Sequence, residues 1–280
     1  MHKKKTALVT GATSGLGRET AKALVEKGYD VIGTSRAAEK EAAANAYIGK
    51  PIPFIRADLT SLKNQKLVVS TCLDWLDGRG LNVLVNNAGT FFSHHSLSPE
   101  GIEKQFAVNT LAPLHLSLLL YPALKKANGR IVNVNSNSHY GAHVRWDDIQ
   151  LSRHYSQLKA YKQTKMLSVM VSREFNKHSK TIRTYMADPG LVNTEMGFKN
   201  TSPLAAWVWK QRKRKGQTVA EGASNQIFLA TQPHLSGFYY KNCKEKAPDK
   251  RTMSNDACKK IWDYCIKILG LEPNTIFGEA

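Results

Sequence analysis

The chain predicts a doubly wound α/β domain, and three observations carry that expectation. Short apolar, β-branched runs alternate with amphipathic stretches along the sequence. A glycine-rich turn joins the first such run to the first helical stretch. Late in the alternation, Tyr161 and Lys165 stand four residues apart in a segment of helical periodicity, so they share one helical face. An ammonium beside a phenol favours its ionised form, moving a group with an ordinary pKa of about 10 towards acid–base work near neutrality.

The elements follow in order. Residues 6–10 (TALVT) read as a buried strand running into Gly11-Ala12-Thr13-Ser14-Gly15-Leu16-Gly17, then into the helical RETAKALVEK, stopped at Gly28. Strand, glycine turn and helix open a dinucleotide-binding βαβ unit, because glycines let the backbone approach a pyrophosphate that the helix N-terminus holds. The spacing is G-x-x-x-G-x-G rather than the standard G-x-G-x-x-G. Strands are then expected at 30–35, 53–57, 82–89, 130–136, 181–190 and 236–240. Helices are expected at 37–48, 61–77, 99–126 with a bend at Pro113, 157–178 and 254–269. The expectation is therefore a seven-stranded parallel sheet covered on both faces in one domain over 1–280, with ligands beyond the carboxyl ends of the strands.

Composition narrows the class. The 280 residues are 42% apolar, enough for a full core. No apolar run approaches the roughly 20 residues that cross a bilayer. The basic His2-Lys3-Lys4-Lys5 precedes an apolar run that the first strand claims, so no signal peptide is expected. Cys72, Cys243, Cys258 and Cys265 have neither zinc-like spacing nor a C-x-x-C pair, which points to reduced thiols and a cytoplasmic location. His94-His95 and His139/His143 lack carboxylate partners at a metal-binding spacing and read as loop histidines, so no metal is expected. The net charge of +18 suits an anionic partner, but no nucleic-acid-binding motif is present and none is expected to be bound.

Over almost its whole length the chain resembles the short-chain dehydrogenase/reductase family. TGATSGLG at 10–17 is similar to the family's cofactor motif, and Asp58-Leu59 to the acidic pair that meets the adenine. Asn86-Asn87-Ala88-Gly89 resembles the NNAG after the fourth strand, and Asn109 in AVNTLAP falls at the catalytic asparagine. Tyr161 and Lys165 fall at the catalytic pair, and Pro189-Gly190, with Val192 and Thr194 beyond, at the turn contacting the nicotinamide. The resemblance implies a Rossmann fold and four roles. The serine hydrogen-bonds the substrate oxygen, Tyr161 exchanges the proton, Lys165 binds the ribose and lowers the tyrosine pKa, and Asn109 holds a water that links Lys165 to solvent.

The serine departs from the usual IVNVSS. Here the strand reads IVNVNSNSHYG, which puts Asn135 at the first serine and Ser136 at the second, favoured for catalysis. Ser138 is the rival, and Asn135 is expected to point away because strand neighbours face opposite sides. Cofactor choice rests on Gly33-Thr34-Ser35-Arg36 at the end of the second strand. An NAD site places an acid there. A serine hydroxyl and an arginine fork suit a 2′-phosphate instead, so NADP(H) is expected.

Within the family, the chain is most similar to the retinol dehydrogenase and light-dependent protochlorophyllide reductase branch, through AYKQTKMLSVMVSREF, ADPGLVNTEM and SGFYYKNCKEK. That branch implies a large apolar substrate. A helical substrate lid is expected over about 198–231, with apolar Leu204 to Trp209 adjoining basic Lys210 and Arg212 to Lys215. Such a lid suits peripheral contact with an anionic membrane, or is an ordinary helix with a solvated basic face. The function expected is an NADP(H)-dependent carbonyl reductase or alcohol dehydrogenase. The alternatives are a catalytically silent nucleotide sensor or scaffold on the same fold. Substrate identity, direction, use of light and homo-oligomeric state are not legible.

Overall fold

The structure, a computed structural model, describes residues 4–192 and 216–278. Strands β1 (Thr6–Val9), β2 (Asp30–Ser35), β3 (Phe54–Arg56), β4 (Val83–Asn86), β5 (Arg130–Val134), β6 (Thr184–Asp188), β7 (Tyr239–Lys241) and β8 (Lys244–Glu245) form one sheet of order β3-β2-β1-β4-β5-β6-β7-β8. The first seven are parallel and β8 is antiparallel to β7, so the expected seven-stranded parallel sheet becomes eight-stranded and mixed. The extra strand comes from a two-residue turn in which Asn242 and Cys243 both have positive φ, the twist that joins hairpin strands. A two-residue charged strand has no periodicity to read.

The sheet reverses direction of growth between β1 and β4, which puts the ligand crevice at the carboxyl ends of those strands. Ala7, Val9, Val83, Val85 and Val132 face the layer of α1 (Gly15–Glu26), α2 (Glu39–Ile48) and α8 (Val219–Thr231). Leu8, Ile32, Leu84 and Ile131 face the other layer, of α3 (Leu62–Leu76), α5 (Ala112–Leu119), α6 (Tyr121–Lys126) and α7 (Gln157–His178). Helix α9 (Asn255–Leu269) and the short α10 (Pro273–Phe277) pack onto this second layer through Ile261, Trp262, Cys265 and Phe277. Between β4 and β5, the register partners Asn86 and Asn133 join their amides at 2.8 Å inside the core. Asn133 in turn donates to Ser172 of α7 at 2.9 Å.

The stretch expected as one helix over 99–126 is segmented. It starts as α4 (Lys104–Phe106), where the Glu103 carboxylate accepts from the Gln105 and Phe106 amides at 2.9 and 2.7 Å. It widens into a π-turn over Ala107–Leu111, continues as α5, and breaks at Leu120, ahead of Pro122. Pro113 stands in the first turn of α5, directly after that wide turn. Among the described residues no helix is long and apolar enough to cross a membrane.

Candidate active site

At the nucleotide end, Gly11 has φ +67 and its N–H donates to Thr34 Oγ1 at 2.9 Å, holding the turn against β2. Ser14, in extended conformation, precedes the first turn of α1 and makes no side-chain cap, so Gly15, Leu16 and Gly17 start the helix without one. A Cβ on Gly17 would lie 2.3 Å from both Asn87 Nδ2 and the Gly11 carbonyl oxygen. Asn87 donates to the Thr10 carbonyl oxygen at 2.8 Å, while Thr10 Oγ1 accepts from the amides of Asn87 and Ala88 at 3.0 and 2.9 Å. Thr13 and Gly89 flank this crevice from the glycine turn and the end of β4. These interactions brace a turn whose helix amides face the crevice, the arrangement that holds a pyrophosphate.

The rim residues are less uniform. Asp58 is exposed and its carboxylate accepts from the Thr60 amide at 3.0 Å, whereas the Leu59 side chain goes into the core. Ser35 is buried and donates to Glu41 of α2, while Arg36 is exposed. Gly190 has φ +73, and Val192 pairs with Gln217. Thr194 lies outside the described residues, as does the 198–215 part of the predicted lid. The rest of the predicted lid includes α8, which packs against α1: Gln226 donates to the Leu16 carbonyl oxygen at 3.1 Å.

The catalytic candidates converge at the ends of β5 and α7. Ser136 Oγ donates to Ser138 Oγ at 3.0 Å and acts on the Tyr161 phenol beside it. The Lys165 ammonium lies 5.8 Å from the centre of the Tyr161 ring and donates to the Val134 carbonyl oxygen at 3.0 Å. Phe91 meets the Tyr161 ring edge-on with centroids 5.2 Å apart. Asn109 sits in the π-turn. Its amide donates to Thr164 Oγ1 at 3.2 Å and to the Thr90 carbonyl oxygen at 3.0 Å, and accepts from the Thr90 N–H at 2.9 Å. Since Pro113 has no N–H, the Asn109 carbonyl lacks its ordinary donor four residues on.

Electrostatics run against one expectation. Burial pushes the Lys165 ammonium down from 10.5 to about 8, with the Asp188 carboxylate opposing that fall. Tyr161 is pushed up rather than down: burial dominates, the Ser136 hydroxyl opposes it, and Asp188 adds to the rise. The lysine is turned towards Val134, so its charge does not offset the phenol's desolvation.

Sequence reading missed what surrounds Asp188. This carboxylate, 0% exposed, accepts from Tyr239 Oη at 3.0 Å and from the Gly190 amide at 2.9 Å. With its amide oriented as its neighbours require, Asn137 donates to Asp188 at 2.7 Å and accepts from Lys241 Nζ at 2.6 Å. His139, expected in a loop, is buried in a 3₁₀ turn over Asn137–His139. Its Nδ1–H donates to the Ser136 carbonyl oxygen at 2.8 Å and its Nε2 accepts from the Asp249 amide at 3.2 Å, which fixes a neutral imidazole. Burial lowers its pKa accordingly. The signal was the aromatic and polar density of NSHY and GFYY, which has no periodicity to interpret. No group of metal ligands occurs among the described residues. A separate cleft of about 500 Å³, lined by residues including Trp146, Gln150, Lys260 and Tyr264, shares no residue with the candidate site.

A family model described as short chain dehydrogenase matches residues 5–204. The chain is similar to the short-chain dehydrogenase TIC 32 A, chloroplastic, of Brassica napus, at 30% identity over 94% of this chain and 88% of that one. It is also similar to retinol dehydrogenase 14 of Homo sapiens, at 31% identity over 95% and 87%. Among solved structures it shares the fold of an alcohol dehydrogenase from the archaeon Thermococcus sibiricus complexed with 5-hydroxy-NADP, with TM-score 0.64, 20% identity, and 88% and 100% of the two chains covered.

Proposed function

The chain belongs to the short-chain dehydrogenase family of oxidoreductases, and we propose that it is an NADP(H)-dependent member acting on a carbonyl or alcohol of a large apolar molecule. The observation that carries this reading is the convergence of Ser136, Tyr161 and Lys165 beside the braced glycine turn. A nicotinamide cofactor fits the residues present: Gly17 lets the turn pack closely on Asn87, Ser14 to Gly17 offer helix-end amides, and Arg36 and Ser35 border the ribose end. When bound, the nicotinamide supplies or takes the hydride.

The chain's own groups do the rest. Ser136 donates a hydrogen bond to the substrate oxygen and steadies charge there. Tyr161 gives its proton to that oxygen in reduction and takes it back in oxidation. Lys165 holds the ribose, and Asn109 holds the water that returns a proton to the lysine. Phe91 supplies an apolar wall at the tyrosine.

A second reading, a nucleotide-binding protein without turnover, is favoured by one observation: burial holds the Tyr161 phenol above its ordinary pKa. Oxidation of NADPH in the presence of retinoids, steroids, quinones and aromatic ketones separates the two. Turnover with any of them, lost in Tyr161→Phe, supports the enzyme. NADPH binding with no turnover across the set supports the second reading. Arg36→Asp is expected to weaken NADPH at least tenfold, since bonds to charged groups contribute about 1.5–3 kcal/mol. Unchanged affinity removes Arg36 from the cofactor site.

A further inference from the structure

At the carboxyl end of β2 a carboxylate sits among groups that suit a phosphate. Ser35, 3% exposed, donates its hydroxyl to Glu41 on α2. Arg56, the register partner of Ser35 on β3, closes on the same carboxylate with Nε to Oε1 at 2.8 Å and Nη2 to Oε2 at 2.9 Å. The Arg56 guanidinium, with the Ser35 hydroxyl behind it, holds the Glu41 carboxyl below its usual range despite partial burial. Arg36 stands next to Ser35, exposed, and makes no ion pair or side-chain hydrogen bond among the described residues. A hydroxyl and a bidentate guanidinium on one acid, with a second, unpaired guanidinium next in sequence to the hydroxyl, form the donor set of a phosphate monoester. Glu41 enters from a helix six residues beyond Ser35, so a search for an acid at the strand's end passes over it.

We propose that Glu41 competes with the ribose 2′-phosphate for Ser35 and Arg56, and that this competition sets the preference between NADP(H) and NAD(H). The proposal rests on the dinucleotide-binding reading above. Phosphate and carboxylate need the same donors and repel each other, so both cannot occupy the site. Binding the phosphate requires the Glu41 side chain to swing out, releasing Arg56 to join Arg36 on it. A bare 2′-hydroxyl lets Glu41 stay and accept its proton in a hydrogen bond. Glu41 thus opposes NADP(H) and supports NAD(H), and the arginines do the reverse.

The test is binding, with no substrate needed. Affinities for NADPH, NADH, 2′,5′-ADP and 5′-ADP are measured by calorimetry in the parent, Glu41→Gln, Glu41→Ala, Arg56→Gln and Glu39→Gln. Glu39 is exposed in the same first turn of α2, so its variant removes the same helix-end charge without touching Ser35. Glu41→Gln is expected to tighten NADPH and 2′,5′-ADP by about tenfold and to weaken NADH, the scale of one charge-assisted hydrogen bond. Arg56→Gln weakens 2′,5′-ADP, and Glu39→Gln leaves the NADPH-to-NADH ratio unchanged. If the parent binds both dinucleotides and neither Glu41 variant moves the ratio, the competition is wrong while the functional reading stands. If the parent binds no dinucleotide, both fall together.

Discussion

Asn135 Nδ2 donates to the backbone carbonyl oxygen of Lys165 across 3.2 Å, tying the end of β5 to the helical turn that carries the lysine. The other half of the same amide accepts from the Ser136 N–H at 2.7 Å, and the side chain is 2% exposed. One residue therefore fixes the spacing between Ser136 and Lys165. Asn135→Ala is expected to cost about 1–2 kcal/mol, the loss of two internal hydrogen bonds at a buried site. Urea denaturation checks this, with an unchanged m-value showing that only stability moved.

Tyr161→Phe removes a hydroxyl and keeps the ring that packs against Phe91. Folding and NADPH affinity are expected to survive, while turnover falls by roughly 10²–10⁴-fold, the usual contribution of a positioned acid–base group. Lys165→Met is expected to be equally inactive but to bind NADPH more weakly. Stopped-flow turnover and calorimetry together distinguish the two variants. Matching NADPH affinities would remove the ribose role from Lys165.

The buried lysine also leaves a mark on stability. Its folded-state pKa is about 8 against 10.5 in the unfolded chain, so between those pH values the unfolded state binds more protons and stability rises with pH. Below pH 8 the cost of burying the ammonium is full, on the order of 3 kcal/mol. Lys165→Met, free of that cost, is expected to melt higher than the parent at pH 7, with the gap closing as pH climbs towards 10.5. Melting temperatures across that range check it. A gap independent of pH would mean that the lysine is not the group responsible.

His115 predicts the opposite limb. It is fully buried, its Nδ1 is paired with Gln65 Oε1 at 2.7 Å, and burial lowers its pKa from 6.5 to about 4. The unfolded chain takes the proton first as pH falls, so stability drops from pH 6.5 down to about 4 by on the order of 3 kcal/mol. Urea midpoints over that window, compared with those of His115→Gln, measure this contribution.

Gly17→Ala forces a methyl against the Asn87 side chain and the Gly11 carbonyl oxygen at 2.3 Å, so the turn has to shift. The cost of such overpacking is about 1–3 kcal/mol. Dinucleotide binding is expected to be lost well before the fold, as a titration monitored by protein fluorescence can test. Binding at parental strength would show that the turn is not the pyrophosphate site.

Much of the sheet and its helices was readable because apolar periodicity reports burial directly. Helix α7 runs over Gln157–His178, the range its pattern gives. The π-turn at Ala107–Leu111 was not readable, because neither apolar periodicity nor a proline distinguishes a widened turn from an ordinary one. The proximity of Ser136, Tyr161 and Lys165 followed from motif order, but the direction of the tyrosine's shift did not. That direction depends on burial and on Asp188, 27 residues further along the chain. Glu41 escaped for a related reason: its partners Ser35 and Arg56 come from two strands and become neighbours only when β2 pairs with β3.

The amide pair of Asn86 and Asn133 acts as a key between two halves of the sheet. Aliphatic side chains on β4 and β5 could slide past one another with little preference for one offset. An amide opposite an amide cannot, because a slip of one residue turns Asn133 to the other face and breaks the bond between the two amides. On one side of that key lie the strands that end at the glycine turn and Asn87. On the other lies the strand that ends at Ser136. The offset between the segment that carries the glycine turn and Asn87 and the segment that carries Ser136 is thus set just beneath the crevice, by two asparagines near the ends of their strands.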